Sequence, residues 1–294
     1  MTSLLTIAIH FLILTQWLTQ QVTSSKCEAN SIKLDMAPKA FDDQYVGCTE
    51  EMEIKAPQLL KEELAMNRKF KDEWKRAEKE WNNKKNKISD SNKLNNFHGT
   101  ALVAYTGNIA MDFNKAVREF CQNPHNFQFK AFHYYLTRAL QLLKKRKCYT
   151  VYRGCKTKFG YSGKGKVRFG QFTSTSLSKS VADKYFEIGG TLFIIKTCLG
   201  VHIQAFSYED EDEVLIPGYE MYGDVAINDA DKTYREISLR NPDNFKSNFN
   251  CLYSSTNYSR TLDSICNSSG RTESPASILL LPGLLVLLLL PAEL

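Results

Sequence analysis

The chain lacks any Cys-x-x-Cys pair, and its five histidines do not cluster with its eight cysteines. A zinc site needs such ligands at close spacing, so none is expected. No segment repeats at a fixed period, which argues against a solenoid or an array. No Lys or Arg precedes the apolar run at 4–14, and none follows the apolar run at 278–290. Positive charge is not gathered in one place either. The net charge is +6, and apart from the small group Lys84, Lys85 and Lys87 and the run at 144–147 the basic residues are scattered. Such scatter reads as ordinary surface with mild attraction to an anionic cell surface, and nucleic-acid binding is not expected.

The ends of the chain read as processing signals. The run at 4–14 leads into a polar, small-residue stretch at 19–25. That is the order of a secretory signal peptide. At the other end come Ser268, Ser269 and Gly270, then a polar spacer at 271–277, then the apolar tail. The tail is short of the ~20 residues that span a bilayer, and it contains Pro282. This order matches a lipid-anchor (GPI) signal whose tail is removed, with attachment at Ser268 or Ser269. An oxidising compartment follows, and with it disulfide candidates whose pairing spacing alone leaves open. Asn257 opens an Asn-x-Ser glycosylation sequon upstream of the anchor, and Asn267 opens a second.

Between the ends, two periods divide the chain. Phe70, Trp74, Ala77 and Trp81 step by four, three and four, which predicts one apolar helix face. An aromatic stripe at that spacing is core before it is a cofactor box. Residues 84–96 are rich in Lys, Asn and Ser and read as a loop. Residues 112–120 and 129–143 read as helices, the second ending in a basic run that suits a helix C-terminus. After Cys148 the period changes to two. Strands are predicted at 149–154, 167–173, 191–199, 201–206, 213–217, 222–228 and 234–239. Helices first and strands afterwards make the class α+β.

Three places in the strand half break the core pattern. Arg153 stands at a strand end before Gly154: a planar fork suited to phosphate, then a residue that lets a ligand approach the backbone. A surface salt bridge is the bland alternative. Ser174-Thr-Ser176 follows Phe172 and reads equally as an edge strand or as hydroxyls that orient a ligand or a carboxylate. The run 209–213 holds five acidic residues and enters an apolar strand. If Glu211 and Glu213 lie in a strand they share a face, and paired carboxylates serve glycosidic-bond chemistry. A solvated acidic turn is the alternative.

Arg, then Ser-Thr-Ser, then Glu-x-Glu, each on its own strand, resembles the R-S-E signature of arginine-specific mono-ADP-ribosyltransferases. Phe41-Asp-Asp-Gln-Tyr45, His98-Gly-Thr-Ala-Leu-Val-Ala-Tyr105, Ala131-Phe-His-Tyr-Tyr-Leu-Thr-Arg138, Phe169-Gly-Gln-Phe-Thr-Ser-Thr-Ser176 and Glu213-Val-Leu-Ile-Pro-Gly-Tyr-Glu220 are similar to vertebrate ecto-enzymes of that family, the T-cell members most of all. The likeness covers residues 34–255 and both terminal signals.

The resemblance implies the ADP-ribosyltransferase fold, with an N-terminal helical part followed by a mixed or antiparallel two-sheet β core. It implies this layout: signal peptide 1–24, one catalytic domain 25–267 (helical 50–147, β core 148–255), and GPI-anchor signal 268–294. NAD would be a co-substrate, with no permanently bound cofactor. Its ADP-ribose would pass to arginine side chains of surface or secreted proteins at the outer face of the plasma membrane, with NAD hydrolysis as the alternative. Glu213 would stabilise the oxocarbenium-like transition state, Arg153 would hold the pyrophosphate, and Ser174 would orient Glu213 and the ribose. Glu211 would engage the acceptor guanidinium. Tyr105, Gln171 and Ser207 would line the NAD pocket, and Phe186 would stack on nicotinamide. Cys48–Cys251 and Cys148–Cys198 would be the core bridges. Cys27, Cys121, Cys155 and Cys266 are extra to that pattern, and a bridge or oxidation at Cys155 would bear on the neighbouring Arg153.

Overall fold

A computed structural model describes residues 32–229, 233–254, 262 and 264–267. Both terminal signals, Cys27 and Asn257 lie outside the described residues, as do Ser268 and Ser269. Among the described residues, no helix is long and apolar enough to cross a membrane.

Five longer helices come first: α1 Thr49–Met66, α2 Arg68–Lys84, α3 Asn96–Tyr105, α4 Ala110–Arg118 and α5 Lys130–Leu143. The spacing-predicted face of α2 is its buried face, Phe70, Trp74, Ala77 and Trp81. Asn67 starts that helix by accepting the Phe70 N–H at 3.0 Å, an Asn N-cap. Periodicity does not reveal α3, because every residue from His98 to Tyr105 is buried and no polar face marks the period. The first turn of α5 is satisfied from a distance. The buried Glu63 carboxylate of α1 accepts the N–H groups of Lys130 and Ala131, the latter at 3.2 Å. The polar stretch at 84–96 contains two short 3-10 turns, Lys85–Lys87 and Ser91–Lys93.

Eight strands follow: β1 Tyr149–Cys155, β2 Val167–Arg168, β3 Thr173–Ser176, β4 Thr191–Thr197, β5 Val201–His202, β6 Glu213–Ile216, β7 Glu220–Asn228 and β8 Arg235–Asn244. A short helix, α6 Lys179–Ala182, lies between β3 and β4. The expected two-sheet core is not found. The strands form one sheet in the order β2-β7-β8-β4-β1-β3-β6-β5. Only β4 and β8 run parallel among these pairs. The expectation fails narrowly. β1 pairs with β4 over seven residues and β3 with β6 over four, yet β1 and β3 meet at one pair, Tyr152 opposite Ser176. The sheet is continuous there but splayed. The expected strand at 167–173 is broken as well, because Gly170 takes φ +69° and separates β2 from β3. The second half of the expected strand at 201–206 is a 3-10 turn, Gln204–Phe206.

Apolar residues form two cores. One joins the helices to Phe172 and Leu215 of the sheet region, and the other holds Val151, Phe193, Ile195, Tyr222 and Ile237. The Phe41-Asp-Asp segment closes the first. Asp42 accepts the N–H groups of Asn248 and Phe249 and pairs with Arg168 at 2.8 Å, both side chains fully buried. Asp43 accepts from Tyr45, Cys251 and Leu252. These carboxylates sew the N-terminal segment to the C-terminal one beside the Cys48–Cys251 bridge. Two further bridges are Cys148–Cys198 and Cys121–Cys266. Cys155, buried, is disulfide-bonded too.

Candidate active site

The splay between β1 and β3 sets the site. Arg153 follows the single β1–β3 pair, and Ser174 lies on the opposite lip. Arg153 Nη1 donates to the Ser174 carbonyl at 2.7 Å, so a side chain spans the opening where ladder bonds stop. Burial pulls this guanidinium below the ordinary arginine range; Tyr105 and Glu213 raise it again, and Arg118 opposes them. It stays cationic at neutral pH.

A cavity of about 370 Å³ opens on one side of this lip. Arg153, Ser174, Glu213, Tyr105, Gln171 and Arg118 all line it. The Tyr105 hydroxyl donates to the Phe172 carbonyl and accepts from Asn114, each at 3.0 Å. Burial pushes its phenol up to about 12, so it remains protonated. Arg118 Nη1 donates to Gln171 Oε1. Sequence reading overlooks Arg118. Its signal was the four-residue step from Asn114, which puts both on one face of α4. Among the described residues no group of His, Cys, Asp and Glu could hold a metal.

The acidic run is graded rather than uniformly solvated. Glu209 and Asp210 are exposed, Glu211 and Asp212 half-buried, and Glu213 buried. Its loop is fastened at several points. Lys84 of α2 donates to the Ser207 carbonyl at 3.1 Å, and Arg76 lies over the Tyr208 ring at 4.9 Å. Gln204 Oε1 accepts the N–H groups of both Glu211 and Glu213 at 3.1 Å, and its amide donates to the Glu209 carbonyl. Nothing in the sequence marks Gln204, whose partners are backbone atoms. The hydroxyl bonded to Glu213 Oε2 is that of Ser207, at 3.1 Å.

Glu211 and Glu213 do not share a strand face. Glu211 precedes β6, and Asp212 between them takes φ +50°, a left-handed turn that breaks the period of two. The two acids therefore face different spaces. Glu213 lines the large cavity, while Glu211 lines a separate crevice of about 20 Å³ that shares Arg153 and Ser174 with it. That volume holds about one water. Tyr185 lines the crevice and donates to Glu211 Oε1. Phe186, the next residue, packs on Tyr234 at 4.5 Å between ring centroids and lines neither space. Gly154 is needed here for a neighbour within the fold. A Cβ at this position would stand 2.0 Å from the Ala182 carbonyl of α6.

A cationic fork, a hydroxyl and a buried carboxylate on adjacent strands around one cavity are the arrangement of an ADP-ribosyltransferase. A sequence model of the family described as "NAD:arginine ADP-ribosyltransferase" matches residues 34–247. The chain belongs to that family. The rat "T-cell ecto-ADP-ribosyltransferase 2" is 56% identical over 285 residues, 95% of this chain and 96% of its own. The mouse "T-cell ecto-ADP-ribosyltransferase 2" is 55% identical over 286 residues, 96% of this chain and 97% of its own. Among solved structures, a mutant of the eukaryotic mono-ADP-ribosyltransferase ART2.2 in complex with NAD is 59% identical. It superposes with a TM-score of 0.72 and covers 76% of this chain and 99% of that one.

Proposed function

We infer that this chain is an NAD-dependent mono-ADP-ribosyltransferase that transfers ADP-ribose to arginine side chains and releases nicotinamide. One observation carries the reading: Glu213, 2% exposed, opens onto a cavity that it shares with Arg153 and Ser174. Loss of nicotinamide leaves positive charge on the ribose, as in glycoside cleavage. A fixed carboxylate at that point binds the transition state more strongly than the ground state. Arg153 carries the charge and planar donors that a pyrophosphate takes up, and Arg118 stands in the same cavity. Ser207 holds one Glu213 oxygen in place. The acceptor nitrogen then bonds to the ribose carbon that nicotinamide has left, and loses a proton.

Glu211, half-buried beside the same lip, is the group for the acceptor guanidinium. Its charge favours a cationic side chain over water, so transfer is favoured over hydrolysis. The enzyme acts at the cell surface, consistent with the "ecto" names of its relatives, and the order of small residues, spacer and apolar tail at 268–294 supports a GPI anchor. Arginine-bearing surface or secreted proteins are its acceptors. The test is incubation of the purified ectodomain with adenine-labelled NAD and agmatine. A labelled agmatine adduct is expected. Free ADP-ribose as the sole labelled product would turn the reading to NAD hydrolysis.

A further inference from the structure

The loop carrying Glu211 is stitched to the segment between β3 and β4 at three points. Leu177 N–H donates to the Asp212 carbonyl at 3.1 Å. The Ser176 hydroxyl donates to the Glu211 carbonyl at 2.6 Å and accepts the Ser178 N–H at 2.9 Å. Those two contacts fix the backbone. The third fixes the side chain: the Tyr185 hydroxyl donates to Glu211 Oε1. Tyr185 ends a 3-10 turn, Asp183–Tyr185, and is half-buried. Burial first, then Glu211 itself, push its phenol well above the usual range, so it is a donor throughout the neutral range.

We propose that Tyr185 positions the Glu211 carboxylate for the acceptor guanidinium and thereby sets the partition of ADP-ribose between arginine and water. This rests on the transferase reading above. Glutamate has three side-chain torsions, and its carboxylate reaches a guanidinium productively in few of their combinations. A phenol bonded to one oxygen removes most of that freedom before the acceptor arrives, and preorganisation of this kind appears as affinity. Glu213 stands outside this contact. Its backbone is held by Gln204 and its carboxylate by Ser207. Tyr185 therefore acts on the acceptor side of the reaction.

The experiment compares wild type, Tyr185→Phe and Glu211→Asp with adenine-labelled NAD and a range of agmatine concentrations. Phenylalanine keeps the ring and removes the donor; aspartate keeps the charge and withdraws it from the phenol by one methylene. Each variant is expected to raise the KM for agmatine about tenfold or more, the scale of one hydrogen bond to a charged group, and to increase free ADP-ribose relative to adduct. The KM for NAD should move less than about twofold. Should Tyr185→Phe fail to fold, Tyr185→Leu, which also lacks the donor, supplies the same reading. An unchanged product ratio, or equal rises in both KM values, overturns the role of Tyr185. Absence of adduct from wild type overturns instead the transferase reading on which it stands.

Discussion

Two of the acidic pairs in this molecule, Asp42-Asp43 and Glu211-x-Glu213, each have an arginine nearby. In the first, the fold uses the carboxylates. Asp42 and Asp43 accept backbone N–H groups from five residues, and Arg168 is locked to Asp42 and to the carbonyls of Met36 and Ala37. In the second, the backbone is held by Gln204 and each side chain is steadied by one hydroxyl, from Tyr185 or Ser207. The carboxylates then face space. The functional group, a carboxylate, is the same in both places. What separates scaffold from chemistry is which atoms the surrounding backbone takes up.

The contrast is broken if the two pairs respond alike to mutation. Glu213→Gln is expected to lower nicotinamide release by about 10³-fold, the scale of a lost electrostatic stabiliser, with little change in melting temperature. A fall in both would make Glu213 a scaffold residue. Asp42→Asn should do the reverse. It leaves Arg168 buried without its counter-charge and costs about 3–5 kcal/mol of stability, read from denaturant unfolding, while folded enzyme keeps its ratio of adduct to free ADP-ribose. Ser207→Ala is a finer probe. Loss of a hydrogen bond to a carboxylate corresponds to about tenfold in turnover, with the KM for NAD less affected.

A further prediction concerns an acid of the scaffold kind in the helical half. Burial raises Glu63 from 4.5 to about 8. A carboxyl raised on folding contributes stability that is whole below its unfolded value and is lost as pH rises through the folded one. The wild-type melting temperature should therefore decline between about pH 5 and pH 8.5, and Glu63→Gln should flatten that decline. Parallel declines in both proteins would assign the titration to another group.

The parts legible in the sequence are those with a period or a chemical signature. Phe70, Trp74, Ala77 and Trp81 announce α2 because one face is dry and the other wet. Arg153, Ser174 and Glu213 stand out because their chemistry is wrong for core strands. The splay at Tyr152 and Ser176 was not legible, because residue pattern cannot report how many pairs two strands share. The face that Glu211 and Glu213 would share in a strand is lost because a single left-handed residue, Asp212, breaks the period of two. Tyr185 and Phe186 are adjacent aromatics at the end of a 3-10 turn, where no period decides which faces inward. Gln204 binds only main chain and so leaves no trace in sequence. Cys121 and Cys266 are paired by a fold that brings them together across 145 residues.

That last bridge has a mechanical consequence. Cys121 lies in the 3-10 turn Phe120–Gln122, directly after α4, whose Asn114 and Arg118 form one wall of the cavity. A pull applied beyond residue 267 enters the domain at this turn. The load is taken up beside the cavity wall, so a C-terminal tether of the kind proposed above would bear on the same short stretch of covalent chain as the site.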